Sequence, residues 1–260
     1  MMNNKKYSLV ILVTTISLIG VFFLVKKTES PQSQKSEVVV QESSPKQVIQ
    51  NSRIVKVEVL CLGFDDKIKK VPFYVVDTIA DDVKAIFSEL LEMKFPVYYI
   101  LGYYQKDILN TNIASLHSYG AAIDINVFTN PYFDVENSLY IPRMFEDPKG
   151  CEHFIVKELR RVHCSEEEIK KILEVVIQPK GSDDRFLNRE IIRKSMITKE
   201  IVEVFKKHGF NEWGGHWRQP MDFMHFQVPR RIAEQLANSN PEQAKKIWRD
   251  HIEKCRRVPE

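Results

Sequence analysis

Residues 115–126 have the sequence SLHSYGAAIDIN, and the second half of this stretch predicts a short β-strand over residues 121–127. Asp124 lies between two isoleucines, so the strand pleat turns its carboxylate away from both of them. A carboxylate that projects from an apolar strand needs a partner, which either a metal ion or the backbone of a nearby turn would supply. His117 precedes Asp124 by seven residues, a spacing that predicts a loop ligand folded back beside a strand ligand.

A second segment, residues 213–226, has the sequence WGGHWRQPMDFMHF and offers a third metal ligand in His225. With His117 and Asp124 it makes three protein ligands, the number found in catalytic zinc sites whose fourth position holds water. Asp222 is the predicted general base that accepts a proton from that water. The aromatic residues around Asp222 are expected to raise the pKa of its carboxylate. The two segments together predict a hydrolase with one zinc ion.

The surrounding elements predict an α+β domain. Alternating apolar residues indicate strands at 54–62, 71–76 and 96–103. Helices are predicted at 79–93 with Asp77 and Thr78 as caps, at 199–208 after Thr198, and at 241–254. Residues 146–195 have a helical, charged pattern, with a helix start at Ser165 and a break at 179–181. We expect a small antiparallel sheet with flanking helices around a single zinc site, preceded by one N-terminal transmembrane helix.

The N-terminal region predicts a membrane anchor and a linker. Residues 7–25 are apolar and uncharged between paired lysines, which is enough helix to cross a bilayer core of about 30 Å. A cleaved signal peptide is the alternative, and the protein would then be secreted. Residues 28–52 are rich in Ser, Gln, Glu, Lys and Pro, a composition typical of a flexible linker. The chain therefore divides into an anchor at 1–27, this linker, and a catalytic domain at 53–260.

Composition excludes one class of partner. The formal net charge is +3 and no basic stripe is present, so we expect no binding to nucleic acid. The four cysteines lack C-x-x-C spacing, which argues against a cysteine zinc cluster, and the first candidate for a disulfide is Cys151 with Cys164. Four histidines in charged helical stretches are predicted to lie at the surface: His153, His163, His208 and His251. Nothing in the sequence predicts the oligomeric state.

Taken together, SLHSYGAAIDIN and WGGHWRQPMDFMHF resemble the zinc peptidases that cleave peptidoglycan stem peptides. That family contains D-alanyl-D-alanine carboxypeptidases and L-alanyl-D-glutamate endopeptidases, and the resemblance covers residues 94–228. It implies zinc ligands at His117, Asp124 and His225 and a general base at Asp222. The W-G-G-x-W sequence before the base is more similar to the endopeptidase branch, so cleavage of the L-Ala-D-Glu bond is the favoured expectation.

One part of the family pattern is missing. Members commonly carry an Arg upstream of the first His that holds the scissile carbonyl or a substrate carboxylate, whereas this chain has GYYQK at 102–106. Gln105 and Lys106 are the candidate replacements. The ammonium group of Lys is a point charge and does not bind a carboxylate through two parallel hydrogen bonds, as the planar guanidinium of Arg does. The other predicted substrate contacts are Ser115, Tyr119 and Trp217. For Ser115 the alternative is a turn cap, and for Tyr119 it is packing in the core.

The sequence thus predicts a zinc-dependent peptidase that acts on peptidoglycan stem peptides, with its catalytic domain outside the cytoplasm and its N-terminus in the membrane. Two other classes stay open. One is a non-catalytic zinc-containing module that binds wall peptide, which the missing Arg favours and Asp222 opposes. The other is a dipeptidase that acts on free D-Ala-D-Ala.

Overall fold

A computed structural model describes residues 53–108, 111–130, 132–134, 139–140, 148–177, 195–218 and 220–257. The predicted anchor, the predicted linker and the predicted helix break at 179–181 lie outside these residues. Within the described part of the chain, no helix is both long enough and apolar enough to cross a membrane.

The described elements are short strands interspersed with helices. The strands are β1 (Ile54–Leu62), β2 (Ile68–Val76), β3 (Ile100–Leu101), β4 (Ala122–Ile125), β5 (Tyr132–Asp134), β6 (Leu139–Tyr140), β7 (Glu212–Trp213), β8 (Met221–Asp222) and β9 (His225–Gln227). The helices are α1 (Ala80–Glu92), α2 (Pro148–Arg161), α3 (Glu166–Ile177), α4 (Lys199–Lys207), α5 (Arg230–Asn238) and α6 (Pro241–Arg257). Helices combined with small antiparallel sheets are the predicted α+β class.

The first two strands form a long hairpin that packs on α1. β1 and β2 pair antiparallel along their whole length, from Ile54 opposite Val76 to Leu62 opposite Ile68. Alternate residues of the hairpin are buried, as the period of a half-buried strand requires. They meet the apolar face of α1, which consists of Val83, Ile86, Phe87 and Leu90. Both strands and the helix were predicted, and β2 begins earlier than expected.

The predicted cap of α1 is wrong. The helix begins at Ala80 after a 3-10 turn, Asp77–Ile79, and no side chain caps it. The carboxylate of Asp77 instead accepts a 2.8 Å hydrogen bond from Arg53, whose guanidinium also donates to two backbone carbonyls at the end of α5. A buried guanidinium needs a counter-ion, so Asp77 serves Arg53 and not the helix N-terminus.

The central sheet has the strand order β3-β4-β9-β7 and is antiparallel throughout. Leu101 lies opposite Asp124 in one pair of strands, and Asp124 lies opposite His225 in the next. In a separate sheet β5 pairs with β6 and β8, and there Tyr132 lies opposite Asp222. The register of β4 and β9 therefore places two predicted ligands side by side.

The strand predicted at 96–103 is reduced to β3. Asn126 has a φ of 53° and follows the last residue of β4. Its side chain accepts from the backbone N–H of Tyr98 at 2.9 Å and donates to the carbonyl of Pro96 at 2.8 Å. These bonds replace the ones that a neighbouring strand would make, so only Ile100–Leu101 joins the ladder.

Two helix starts follow the predicted capping chemistry. Ser165 Oγ accepts from the N–H of Glu168, and the Glu168 carboxylate accepts from the N–H of Ser165, which is a capping box before α3. Thr198 caps α4 through a hydrogen bond from the N–H of Ile201. The C-terminal helix extends to Arg257, three residues beyond the prediction. Helix α5 was not predicted.

The prediction for the four histidines is correct for two and wrong for the other two. His153 and His163 are exposed, whereas His208 and His251 are buried. His208 lies against carboxylates of α1, and His251 Nε2 donates to the carbonyl of Gly209 at 2.8 Å. Buried imidazoles with such partners are satisfied inside a protein, which charge patterning along one helix does not reveal.

The predicted disulfide is also wrong. Cys164 is a free thiol, as are Cys61 and Cys255, so no bridge joins Cys164 to Cys151. The Cys164 side chain is buried in the turn between α2 and α3. Burial raises the pKa of this thiol to about 12, which makes it unreactive at neutral pH.

Candidate metal centre

Three predicted ligands converge on one point. His117 Nε2 lies 3.1 Å from Asp124 Oδ1 and 3.2 Å from His225 Nδ1, and those two atoms are 2.7 Å apart. All three side chains are buried. In the described ranges, these residues form a group of ligand side chains that could hold a metal ion.

A tight turn brings His117 back beside β4. Ser115 begins the 3-10 turn Leu116–Tyr119 and accepts a hydrogen bond from the N–H of His117. Gly120 ends the turn with a φ of 63°, and its carbonyl accepts from the N–H of Val76 at 3.1 Å. A Cβ at Gly120 would lie only 2.6 Å from that same nitrogen, so glycine is required on two grounds. The loop ligand and the strand ligand meet as predicted.

The donor set fits zinc. Two imidazole nitrogens and one carboxylate oxygen are common zinc ligands, and three protein ligands leave a fourth position for water. Ligand atoms about 2.0–2.1 Å from a tetrahedral zinc lie roughly 3.3 Å from one another. The separations of 2.7–3.2 Å approach that value. His117, Asp124 and His225 are therefore the residues that would hold the ion.

Each imidazole is oriented by a second partner. His117 Nδ1 lies 2.7 Å from the carbonyl of Gly102, to which it donates. His225 Nε2 lies 2.8 Å from Gln227 Oε1, and the amide of Gln227 donates to Glu212 at 2.5 Å. Because both partners are oxygen acceptors, the proton of the neutral ring lies on Nδ1 of His117 and on Nε2 of His225. The lone pairs of His117 Nε2 and His225 Nδ1 are then available to a metal.

Sequence reasoning missed Gly102, Gln227 and Glu212. Gln227 carried a usable signal, because alternation along β9 places it on the same face as His225. Glu212 lies opposite Gln227 in the β7–β9 pair, which required the strand register. Gly102 acts through its backbone and has no side-chain signal at all.

The charges at the centre are strongly coupled. Burial acts to raise the pKa of Asp124, yet the neighbouring His117 and His225 hold it well below its usual range. Burial lowers the pKa of His117 despite the nearby carboxylate. For His225, burial also acts to lower the pKa, but hydrogen bonding to Asp124 raises it overall. These shifts favour an ionised Asp124 and a neutral His117, which are the forms that bind a metal, whereas the raised pKa of His225 favours a protonated ring that would have to lose its proton on metal binding.

Asp222 lies at the end of β8, three residues before His225. Its Oδ1 atom is buried and has no hydrogen-bond partner among the described residues. Burial, and then the negative charge of Asp124, raise the pKa of Asp222 to about 7. A Cβ at Gly214 would overlap the carbonyl oxygen of Asp222, so the first glycine of the W-G-G sequence lets the two backbones approach. The carboxylate also accepts a hydrogen bond from the backbone of Met224, so Oδ1 is the atom that is able to take up a proton.

Aromatic rings support this region. Trp213 stacks on Phe226 and donates to the carbonyl of Phe223 at 3.0 Å. The half-buried ring of Trp217 lies 5.3 Å from the His225 ring, measured between centroids. His216 is exposed and lies edge-on to Trp213. Trp217 is thus the ring placed between His225 and solvent.

The predicted substrate contacts fall into two groups. Gln105 and Lys106 are exposed and line an open hollow with Asp107, Ala114 and Ser118. The Lys106 cation lowers the pKa of both His117 and Asp222, so its charge reaches the centre. Ser115 and Tyr119 are buried in the turn that carries His117, and substrate contact by either one stays a prediction.

Comparison with protein families gives one match. The family model described as D-alanyl-D-alanine carboxypeptidase matches residues 109–228. That range contains His117, Asp124, Asp222 and His225, and it supports a peptidase of this zinc-dependent family. Comparison with curated proteins and with solved structures gave no match.

Proposed function

We propose that the protein is a zinc peptidase that hydrolyses peptide bonds in peptidoglycan stem peptides. One observation carries the proposal: a buried carboxylate oxygen of Asp222, which has no hydrogen-bond partner among the described residues, accompanies three converging ligands. A structural zinc site has its four positions filled by protein and needs no free base. The family match supports the same reaction class.

The residues divide the chemistry among them. His117, Asp124 and His225 would hold a zinc ion, which would supply Lewis acidity and lower the pKa of a water molecule. Asp222 Oδ1 accepts the proton of that water as its oxygen attacks the peptide carbonyl, and later delivers the proton to the leaving nitrogen. Burial raises the pKa of Asp222 above its usual value, which supports a carboxyl group that both takes up and releases a proton.

The favoured bond is L-Ala-D-Glu, cut as an endopeptidase would cut it. Gln105 and Lys106 line a surface hollow beside the turn that carries His117, where a longer peptide would have room. The W-G-G-x-W sequence supports the same branch.

A carboxypeptidase is the second candidate, and a specific observation favours it. The positive charge of Lys106 lowers the pKa of Asp222, so this charge lies close enough to attract the free carboxylate of a substrate bound at the centre. A dipeptidase on D-Ala-D-Ala would use the same contact. A non-catalytic wall-peptide module is the weakest alternative, because it gives no role to the free carboxylate of Asp222.

We further propose that the catalytic domain works outside the cytoplasm on a membrane anchor formed by residues 7–25. The support is the length and apolarity of that segment and the location of the substrate. Separation of cells into membrane and soluble fractions, followed by protease treatment of intact cells or spheroplasts, would test it. Protein found only in the cytosol would contradict the anchor.

Product analysis tests the function. Zinc-loaded protein is incubated with purified sacculi, with stem peptides ending in D-Ala-D-Ala, and with free D-Ala-D-Ala, and new ends are identified by mass spectrometry. New L-Ala carboxyl ends indicate the endopeptidase, released D-Ala from stem peptides the carboxypeptidase, and cleavage of the free dipeptide the dipeptidase.

The matched control for catalysis is Asp222→Asn, which removes the base and changes none of the three ligands. We expect one zinc per chain and a loss of turnover of about 100-fold or more. Unchanged turnover would contradict the role of Asp222. Zinc binding by the wild-type protein without cleavage of any substrate would favour the binding module.

A further inference from the structure

Tyr99 has a hydroxyl group with no hydrogen-bond partner in the described part of the chain. The residue is 6% exposed, and its hydroxyl oxygen is buried. Folded proteins rarely leave a buried donor unsatisfied, because its lost hydration is then not replaced. Where such a group persists beside a reactive centre, a bound molecule is the natural acceptor.

The strand register points Tyr99 toward the metal centre. Leu101 lies opposite Asp124 in the antiparallel β3–β4 pair, so these two side chains share a face of the sheet. Tyr99 is two residues before Leu101, and its carbonyl still accepts from the N–H of Asn126 at 3.0 Å. This single backbone bond lies just before the first residue of β3. The two-residue offset of Tyr99 from Leu101 is therefore our reason for placing the Tyr99 ring on the Asp124 face.

The charges around Tyr99 agree with this placement. Burial raises the pKa of its phenol, and the charge of Asp124 raises it further. Arg161 and Glu158 on α2 also act on it, and these two side chains pair at 3.1 Å. Lys106 acts instead on Asp222 and His117. The Tyr99 hydroxyl is thus within reach of charges on both Asp124 and α2.

We propose that the Tyr99 hydroxyl is a catalytic hydrogen-bond donor to the carbonyl oxygen of the scissile peptide bond. The proposal rests on the function proposed above. A donor is needed there because the family's upstream Arg is absent from this chain. Lys106 is exposed, so its ammonium group would lose hydration when it met the substrate. The Tyr99 hydroxyl is already buried and would lose little hydration on donating to the carbonyl.

The step balances without a further reactant. The water oxygen forms a bond to the carbonyl carbon, the carbonyl electron pair moves to its oxygen, and Asp222 takes the water proton. The carbon–nitrogen bond then breaks, and that proton passes to the leaving nitrogen. Tyr99 donates a hydrogen bond throughout and keeps its own proton, in line with the raised pKa of its phenol.

The test uses the full-length, zinc-loaded protein and the variant Tyr99→Phe. The probe is a phosphinate analogue of the stem peptide, whose tetrahedral anion resembles the attacked carbonyl, and its binding is measured by calorimetry. We expect at least about 10-fold weaker binding of the analogue and about 100-fold lower kcat, with one zinc per chain retained. The Tm should stay the same or rise, because the variant removes a buried group that lacks a partner.

Tyr98→Phe is the matched control. The Tyr98 hydroxyl accepts from the N–H of Phe128 at 2.8 Å, and its ring stacks on that residue. This variant should lower the Tm and leave binding of the analogue unchanged.

Two results would overturn the Tyr99 assignment while the proposed function stands. One is wild-type affinity of Tyr99→Phe for the analogue. The other is weaker binding together with a loss of Tm like that of Tyr98→Phe, which would mean a structural role. If the wild-type protein neither binds the analogue nor cleaves any stem peptide, the proposed function itself fails, and the role of Tyr99 fails with it.

Discussion

The geometry at His225 depends on Gln227, two residues further along the same strand. Gln227 Oε1 accepts from the outer nitrogen of His225 at 2.8 Å, and Glu212 fixes the Gln227 amide in turn. This chain of bonds selects the tautomer that leaves Nδ1 free for a metal. The sequence predicted His225 as a ligand, whereas the orientation of its ring comes from a residue outside the motif.

Replacement of Gln227 should weaken zinc binding. Gln227→Ala removes the acceptor from His225 Nε2, so the ring loses its fixed tautomer, and we expect the zinc affinity to fall about 10- to 100-fold. Competition with a chromogenic chelator would measure this. Gln235→Ala, at an exposed position on α5, is the control and should leave the affinity unchanged. Equal affinities of the two variants would contradict an orienting role for Gln227.

Contacts between elements rely on buried charged groups that local sequence patterns do not reveal. His208, just after α4, lies 3.3 Å from Asp82 and 2.7 Å from Glu89, both on α1. Trp248 on α6 donates to the same Asp82 at 2.7 Å, and Lys207 pairs with Glu89. Three helices are thereby joined around one imidazole.

This cluster predicts a pH-dependent stability. Hydrogen bonding to Asp82 raises the pKa of His208, although burial acts to lower it. A raised folded-state pKa means that the stabilisation is fully present below the unfolded pKa of about 6.5 and is lost as the pH rises through the folded-state value. The bonds to His208 and Lys207 lower the pKa of Glu89, although burial acts to raise it. The contribution of Glu89 to stability is therefore lost only as the pH falls through this lowered pKa.

His208→Gln should therefore destabilise the fold more at pH 6 than at pH 9. We expect a loss of about 1.5 kcal/mol in the free energy of unfolding at pH 6, the scale of a hydrogen bond to a charged group. Thermal or urea unfolding at both pH values would measure it. His163→Gln is the control at an exposed histidine. A loss that does not change between pH 6 and pH 9 would contradict an ionised His208.

The metal centre joins distant parts of the whole molecule. His117 comes from a turn, Asp124 from β4 and His225 from β9, and 108 positions of sequence separate the two histidines. The unfolded chain does not hold these groups together, so a metal that binds them binds the folded state preferentially.

Zinc should consequently stabilise the whole fold. At a free zinc concentration about 100 times the Kd, the free energy of unfolding should rise by about 2.7 kcal/mol, which corresponds to roughly 5–10 °C in Tm for a domain of this size. Calorimetric unfolding with zinc and with a chelator measures the difference. His225→Ala should abolish both the zinc stoichiometry and the shift in Tm. Retention of one zinc by that variant would contradict the ligand assignment.

Local patterns in the sequence were enough to predict the three candidate ligands, the α+β class and several helix and strand boundaries. Capping at Ser165 and Thr198, and alternation in β1, depend on neighbours within a few residues, which is why they were predictable. The wrong assignments, the cap at Asp77 and the surface position of His208, each involve a partner far away along the chain.

Only the tertiary structure decided how the centre is supported. The register of three strands sets Asp124 opposite both Leu101 and His225. Long-range contacts also supply Gly102 and Glu212, and they leave the Asp222 oxygen buried without a partner. The physical reason is that hydrogen-bond satisfaction and burial are properties of the packed chain, whereas the type of each ligand is a property of the residue itself.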